Sequence, residues 1–242
     1  MNLCIDQGNS STKVGVFNQD NLIETAVFEE FGLAEISELF NKYPINACIL
    51  SSVILENNDL LLELGRKCRG FIELSHLTPI PITNRYKTPE TLGKDRLAAV
   101  IGASFLKPDC DLLVVDAGTA ITYDFIDANR VYWGGNIAPG LNLRLRALHE
   151  FTQKLPLVEA QNESAELGVD TQSAINSGAL YGIVYEINGY INHLKNKYPG
   201  LLAFLTGGST FYFATKLKNA IFAERNLVLI GLNRILQYNV QK

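Results

Sequence analysis

Residues 5–17 read IDQGNSSTKVGVF. An apolar run, LCI, leads into Asp6, and a second run, KVGVF, follows after a loop that holds Gly8, Asn9, two serines and a threonine. Both runs are short, apolar and bounded by turn residues, so they read as two strands joined by a polar turn. The familiar phosphate loops run from strand into helix, and neither GxGxxG nor GxxxxGK[ST] occurs in the chain. This unit runs from strand into strand, and that difference decides which folds remain.

Working outward, NLIETAVF (21–28) is a third strand after a turn at NQDN, and such turns between alternating runs argue for antiparallel neighbours. A helical stretch around AEISELFNKY (34–43) is followed by a buried strand, NACILSSV (46–53), and by a further strand at 71–74. The pattern then returns. LLVVDAGTAITYDFI (112–126) is a buried strand ending in Asp116, a small-residue turn and a second strand, followed by a turn at DANR and a strand at VYWGG. Sliding the chain by 110 residues places Leu3 on Leu113, Asp6 on Asp116, Gly8 on Gly118 and Thr12 on Thr122. An internal duplication is the economical explanation. It predicts an α/β protein of two halves, 1–110 and 111–242, with a cleft between them. In the second half, SAINSGALYGIVYEINGYINHLKNKY (173–198) reads as one long helix, LLAFLTGGS as strand into turn, and FYFATKL and LVLIGLNRILQYN as helices.

Bulk properties narrow the function. The 242 residues are 47% hydrophobic and 19% charged, an ordinary globular composition. A net charge of −4 offers no footprint for nucleic acid. No apolar run approaches the roughly 18 residues of a membrane span, and the amino terminus has neither a basic nor an apolar leader region, so a cytoplasmic protein with no membrane contact is expected. Cys4, Cys48, Cys68 and Cys110 form no CxxC pair and read as buried, reduced thiols, while His76, His149 and His193 are isolated, against a zinc cluster.

A strand that stops at a Gly-containing turn presents backbone N–H groups with little side-chain bulk in the way, and such an array binds phosphate oxygens. Around it, Asp6 can hold a magnesium ion through water, Asn9 and Ser10 can donate to a phosphate, and Lys13 adds a positive charge. Asp116, Thr119 and Thr122 offer a second set, so two such loops could pinch one polyphosphate. A single D-x-G is equally an Asx turn or a helix cap. The repetition favours the clamp. Thr206-Gly207-Gly208, after a strand, would suit close approach by an adenosine or phosphate, although alone it is an ordinary turn.

DQGNSSTK (6–13), YKTPETLGKDR (86–96), DAGTAIT (116–122), GGNIAPG (134–140), ELGVDTQSAINSG (166–178) and LTGG (205–208) together resemble the type III pantothenate kinases, within the superfamily of acetate and sugar kinases, Hsp70 and actin. The matching stretches keep the family's order and span most of the chain. The resemblance implies a duplicated ribonuclease H-like (actin-like ATPase) fold with mixed sheets flanked by helices. It implies ATP binding by Asp6, Gly8, Asn9, Ser10, Lys13 and Thr119, and Mg²⁺ near Asp6. It places a monovalent cation, K⁺ or NH₄⁺, on Asp116. Pantothenate contacts fall on Tyr86, Gly93, Lys94, Asp95, Arg96 and Thr171, with Asp95 as general base, in a homodimer.

The chemistry of those residues is consistent with the resemblance. A primary hydroxyl acceptor needs a group to take its proton, which Asp95 can do, and a carboxylate handle needs a cation, for which Arg96 is nearest. Without the resemblance, GKDR fits a helix start equally well, with Asp95 in the first turn before LAAVIGASFL. Rivals are a kinase of the same fold for another alcohol or sugar, a nucleotide-sensing regulator that does not need Asp95, and an actin-like filament protein. Trp133, Arg144 and Arg146 carry no assigned role at this point.

Overall fold

The structure is a computed structural model and describes residues 1–8, 11–53, 58–161, 164–219 and 221–240. The expected ATP contacts Asn9 and Ser10 lie outside the described residues. Two compact units are formed, one by residues 1–108, 130–132 and 226–242, the other by 109–129 and 133–225. They follow a different line from the sequence halves 1–110 and 111–242.

The first unit is built on a five-stranded mixed sheet. Asn2–Gln7 (β1), Thr12–Asn18 (β2) and Asn21–Phe28 (β3) form the antiparallel meander expected from the turns, and Leu33–Lys42 (α1) leads to Ala47–Ser52 (β4). Asn58–Lys67 (α2) then leads to Gly70–Glu73 (β5). The order is β3-β2-β1-β4-β5, with β1, β4 and β5 parallel. Thr83–Asn84 (β6) is a two-residue strand, and Lys94–Leu106 (α3) is the helix after GKDR.

The second unit repeats the plan. Leu112–Ala117 (β7), Ala120–Ile126 (β8) and Val131–Pro139 (β9) precede Leu141–Glu150 (α4) and the long helix Thr171–Lys197 (α5). Leu202–Thr206 (β10), Thr210–Ala214 (α6) and Phe222–Ala223 (β11) follow. Here the order β9-β8-β7-β10-β11 matches β3-β2-β1-β4-β5 position for position, with β7 antiparallel to β8 and parallel to β10. Thr83 and Asn84 pair with Val131 and Tyr132, which is why the start of β9 groups with the first unit.

The register corrects one detail of the repeat. Asp6 faces Lys13 across the first hairpin, whereas Asp116 faces Thr122 across the second. The first turn closes with Gly8 N donating to Ser11 O, the second with Gly118 N donating to Ala120 O, so the second loop is one residue shorter. Past the turn the offset is 109 rather than 110. Thr122 therefore occupies the place of Lys13, and its match to Thr12 is accidental.

Each sheet has an apolar layer. Leu3, Ile5, Val14, Val16, Cys48 and Leu50 pack with Ile36 and Leu60 in the first unit. Leu113, Val115, Ile121, Leu180, Ile183 and Ile187 do so in the second. The last helix, Leu227–Val240 (α7), returns to the first unit and crosses α3. Glycines let the two backbones touch: a Cβ on Gly231 would lie 1.8 Å from the Ala98 carbonyl oxygen, and one on Gly102 2.4 Å from that of Leu227. The crossing holds α3, and with it GKDR, against the sheet.

Candidate active site

In the first unit the site grows from the end of β1. Asp6 pairs in register with Lys13 on β2 and with Ser51 on β4, so the three side chains share one face of the sheet. Burial, followed by the negative charge of Asp95, pushes the Asp6 carboxyl up from its ordinary value of 3.8 to about 6, against the opposing pull of Ser51 and Lys13. The Ser51 hydroxyl is buried and, among the described residues, makes no hydrogen bond of normal geometry. A carboxylate that is desolvated, repelled by a second carboxylate and flanked by an unsatisfied hydroxyl is a place where a cation or its water shell is stabilising.

Asp95 reaches this neighbourhood because Gly93 caps α3 and Asp95 is the second helical residue. Its Oδ1 accepts from the Arg96 amide at 2.8 Å. A Cβ on Gly93 would sit 2.5 Å from that same oxygen, so a side chain there would displace the carboxylate. Lys94 Nζ donates to the Ser52 carbonyl at 3.2 Å, tying the helix start to the end of β4. Arg96 is 5% exposed, and its guanidinium stands 5.6 Å from the centre of the Tyr86 ring. Behind Tyr86 the ring of Tyr132 stacks at 6.2 Å and 15°, with Tyr132 fully buried. The arrangement is a layered guanidinium, phenol and phenol that fixes Tyr86 and Arg96 together.

In the second unit Asp116 pairs with Thr122 and with Thr206. Gly207 adopts φ +92°, a conformation that favours glycine, and a Cβ there would lie 2.4 Å from Asp116 Oδ1. The Thr122 hydroxyl is buried without a hydrogen-bond partner among the described residues. Thr119 is exposed at the hairpin tip, its carbonyl accepting from Gly140 N at 2.9 Å. Thr171 is the exposed first residue of α5, after Asp170, whose carboxylate caps the helix by accepting from Ser173 N.

The first unit thus gathers Asp6, Lys13, Lys94 and Asp95, and separately pairs Tyr86 with Arg96. Asp116 and Thr119 share the second hairpin, while Thr171 stands apart from them on α5. Two participants escaped the sequence reading. Ser51 was signalled only by a pair of serines closing the apolar run CILSS, and Tyr132 by nothing local, since its role depends on a strand pairing. The unassigned residues find structural partners: Trp133 Nε1 donates to Asp127 at 2.8 Å, Arg144 pairs with Glu186 at 2.6 Å, and Arg146 with Glu150 at 3.0 Å. Among the described residues no group of three or more His, Cys, Asp or Glu could hold a metal. A magnesium ion would be held as Mg²⁺ commonly is at phosphoryl sites, by one or two carboxylates together with substrate oxygens and water. Asp6 and Asp95 fit that role.

The family model for type III pantothenate kinases matches residues 2–193. A type III pantothenate kinase of Phocaeicola vulgatus is 52% identical over 239 residues, covering 99% of both chains. That of Christiangramia forsetii is 42% identical over 241 residues with the same coverage. Among solved structures, one described as a Baf family transcriptional activator from Campylobacter jejuni superposes with a TM-score of 0.64 at 22% identity, covering 99% of this chain and all of that one. An N-acetylmannosamine kinase candidate from Listeria monocytogenes gives 0.55 at 16% identity, covering 98% and 99%. These two likenesses show the actin-like ATPase and sugar kinase fold and no more.

Proposed function

Because the chain belongs to the type III pantothenate kinase family, we propose that its two duplicated hairpins and the start of α3 serve one reaction, the transfer of the γ-phosphoryl group of ATP to the primary hydroxyl of pantothenate. The product is 4′-phosphopantothenate, the entry to coenzyme A. The observation that carries the assignment of roles is that Asp95, at the start of α3, acts electrostatically on Asp6 at the end of β1 while Lys94 ties the helix start to the Ser52 carbonyl on β4.

The first hairpin, with Asp6, Gly8, Asn9, Ser10 and Lys13, engages the phosphates, and Mg²⁺ near Asp6 neutralises charge on the transferred group. Phosphoryl transfer has a loose transition state, so positioning and charge neutralisation supply most of the rate. Asp95 orients the acceptor hydroxyl and takes its proton, and the Arg96 amide holds the carboxylate in place. Tyr86, Gly93, Lys94, Arg96 and Thr171 bind pantothenate, with Arg96 supplying the positive charge for the substrate's carboxylate. In the second hairpin Thr122 stands across from Asp116, and its buried hydroxyl has no hydrogen-bond partner among the described residues. That supports a monovalent cation, K⁺ or NH₄⁺, at Asp116, with Thr119 contacting ATP. Large apolar side chains left exposed in the second unit, Val169 at 95%, Phe151 at 86% and Leu167 at 82%, support a homodimer. The use of ATP supports a cytoplasmic location.

The test is Asp95→Asn. Turnover falls about 10²–10⁴-fold while ATP still binds. A variant that keeps full turnover contradicts the role of Asp95 and favours the regulator reading.

A further inference from the structure

We propose that the first unit carries a second small-molecule site, a pocket at the C-terminal end of α3 that takes a small organic carboxylate with an apolar body. The pocket holds about 270 Å³, and Ile82, Ile101 and Phe105 with two prolines form its apolar wall. Ser104 and the guanidinium-bearing Arg130 and Arg234 supply its polar groups. All of these residues belong to the first unit. Ser104 lies nine residues along α3 from Asp95, which is about 13 Å of helix, so the pocket is distinct from the proposed acceptor site.

Three features point to an anion. Ser104 is only 7% exposed and lines the pocket, where its hydroxyl can donate to an anion. Arg234 is already locked: its guanidinium stands 4.2 Å from the centre of the Phe105 ring and donates to Gln237 Oε1 at 2.6 Å. Arg130 is exposed at the rim in a left-handed conformation, φ 59°, and its side chain has no ion pair among the described residues. Its carbonyl accepts from Thr83 N at 2.9 Å, which fixes the backbone that presents it.

The charge balance selects the class of anion. Asp20 lies 3.4 Å from Arg234 and offsets part of its charge, while Arg130 is unbalanced. Roughly one positive charge is therefore available, which suits a singly charged carboxylate better than a doubly charged phosphate ester. The apolar wall, with the Phe105 ring, receives the body of the ligand.

The test reads binding alone, with neither nucleotide nor pantothenate present, so its failure leaves the kinase reading untouched. Protein labelled at the isoleucine δ1 methyls is titrated with hexanoate, hexanol and methyl phosphate by NMR. Hexanoate shifts the Ile82 and Ile101 signals saturably, and hexanol binds at least about tenfold more weakly, the equivalent of one charged interaction. Arg130→Asn, which tolerates the left-handed backbone, and Ser104→Ala each weaken hexanoate about fivefold or more without moving the remaining isoleucine signals. No saturable shift with hexanoate, equal binding of hexanol, tighter binding of methyl phosphate, or unchanged affinity in both variants overturns the proposal.

Discussion

Asp6 sits at the end of an apolar strand with its carboxyl pushed up to about 6 by burial and by the charge of Asp95. Its folded value lies above the ordinary one, so its contribution to stability is fully present below about pH 4 and is lost as pH rises through about 6. At pH 8 the ionised group costs roughly 3 kcal/mol in the protein without ligands. Asp6→Asn removes that penalty. Thermal melts should show the variant about 5 °C or more above the parent at pH 8, with the gain shrinking to nothing near pH 4. A variant that melts at or below the parent at pH 8 contradicts this account of the site. Asp6 was legible in the sequence because its loop chemistry is local. Its partner Ser51 was not, because only the parallel pairing of β1 with β4 brings it alongside.

At the scale of elements, the strand, turn, strand unit was readable from periodicity and turn residues, and the helices of the second unit from their spacing. The one-residue difference between the hairpins was not, since sliding two sequences without gaps cannot reveal a shorter loop. The return of α7 to the first unit was equally hidden, because it depends on Gly102 and Gly231 meeting across a helix crossing. The start of β9 gives a functional consequence. Val131 and Tyr132 pair with β6, and this places the Tyr132 ring behind Tyr86. In the acceptor pocket proposed above, Tyr132 would act as a positioning residue behind Tyr86. Tyr132→Leu should raise KM for pantothenate about tenfold with kcat changed little, because Tyr86 and Arg96 lose their backing while Asp95 does not. Tyr132→Phe, which keeps the ring, should restore KM. Steady-state kinetics at saturating ATP would show this split, and a fall in kcat with unchanged KM contradicts it.

For the whole molecule, Val169, Leu167 and Phe151 are exposed among the described residues. Sedimentation should give twice 26.8 kDa, and Val169→Glu should shift it toward the monomer. A parent protein that sediments as a 26.8 kDa species contradicts the homodimer. The family, the fold and the reaction were all approachable from motifs because each motif is short and carries its chemistry locally. The acceptor is the part on which everything else depends. The most direct measurement follows ADP release by the purified protein with ATP, Mg²⁺ and K⁺ as pantothenate is added. The account predicts release that depends on pantothenate, saturates, and appears with equimolar 4′-phosphopantothenate. ADP release that ignores pantothenate, or none at all, would contradict it.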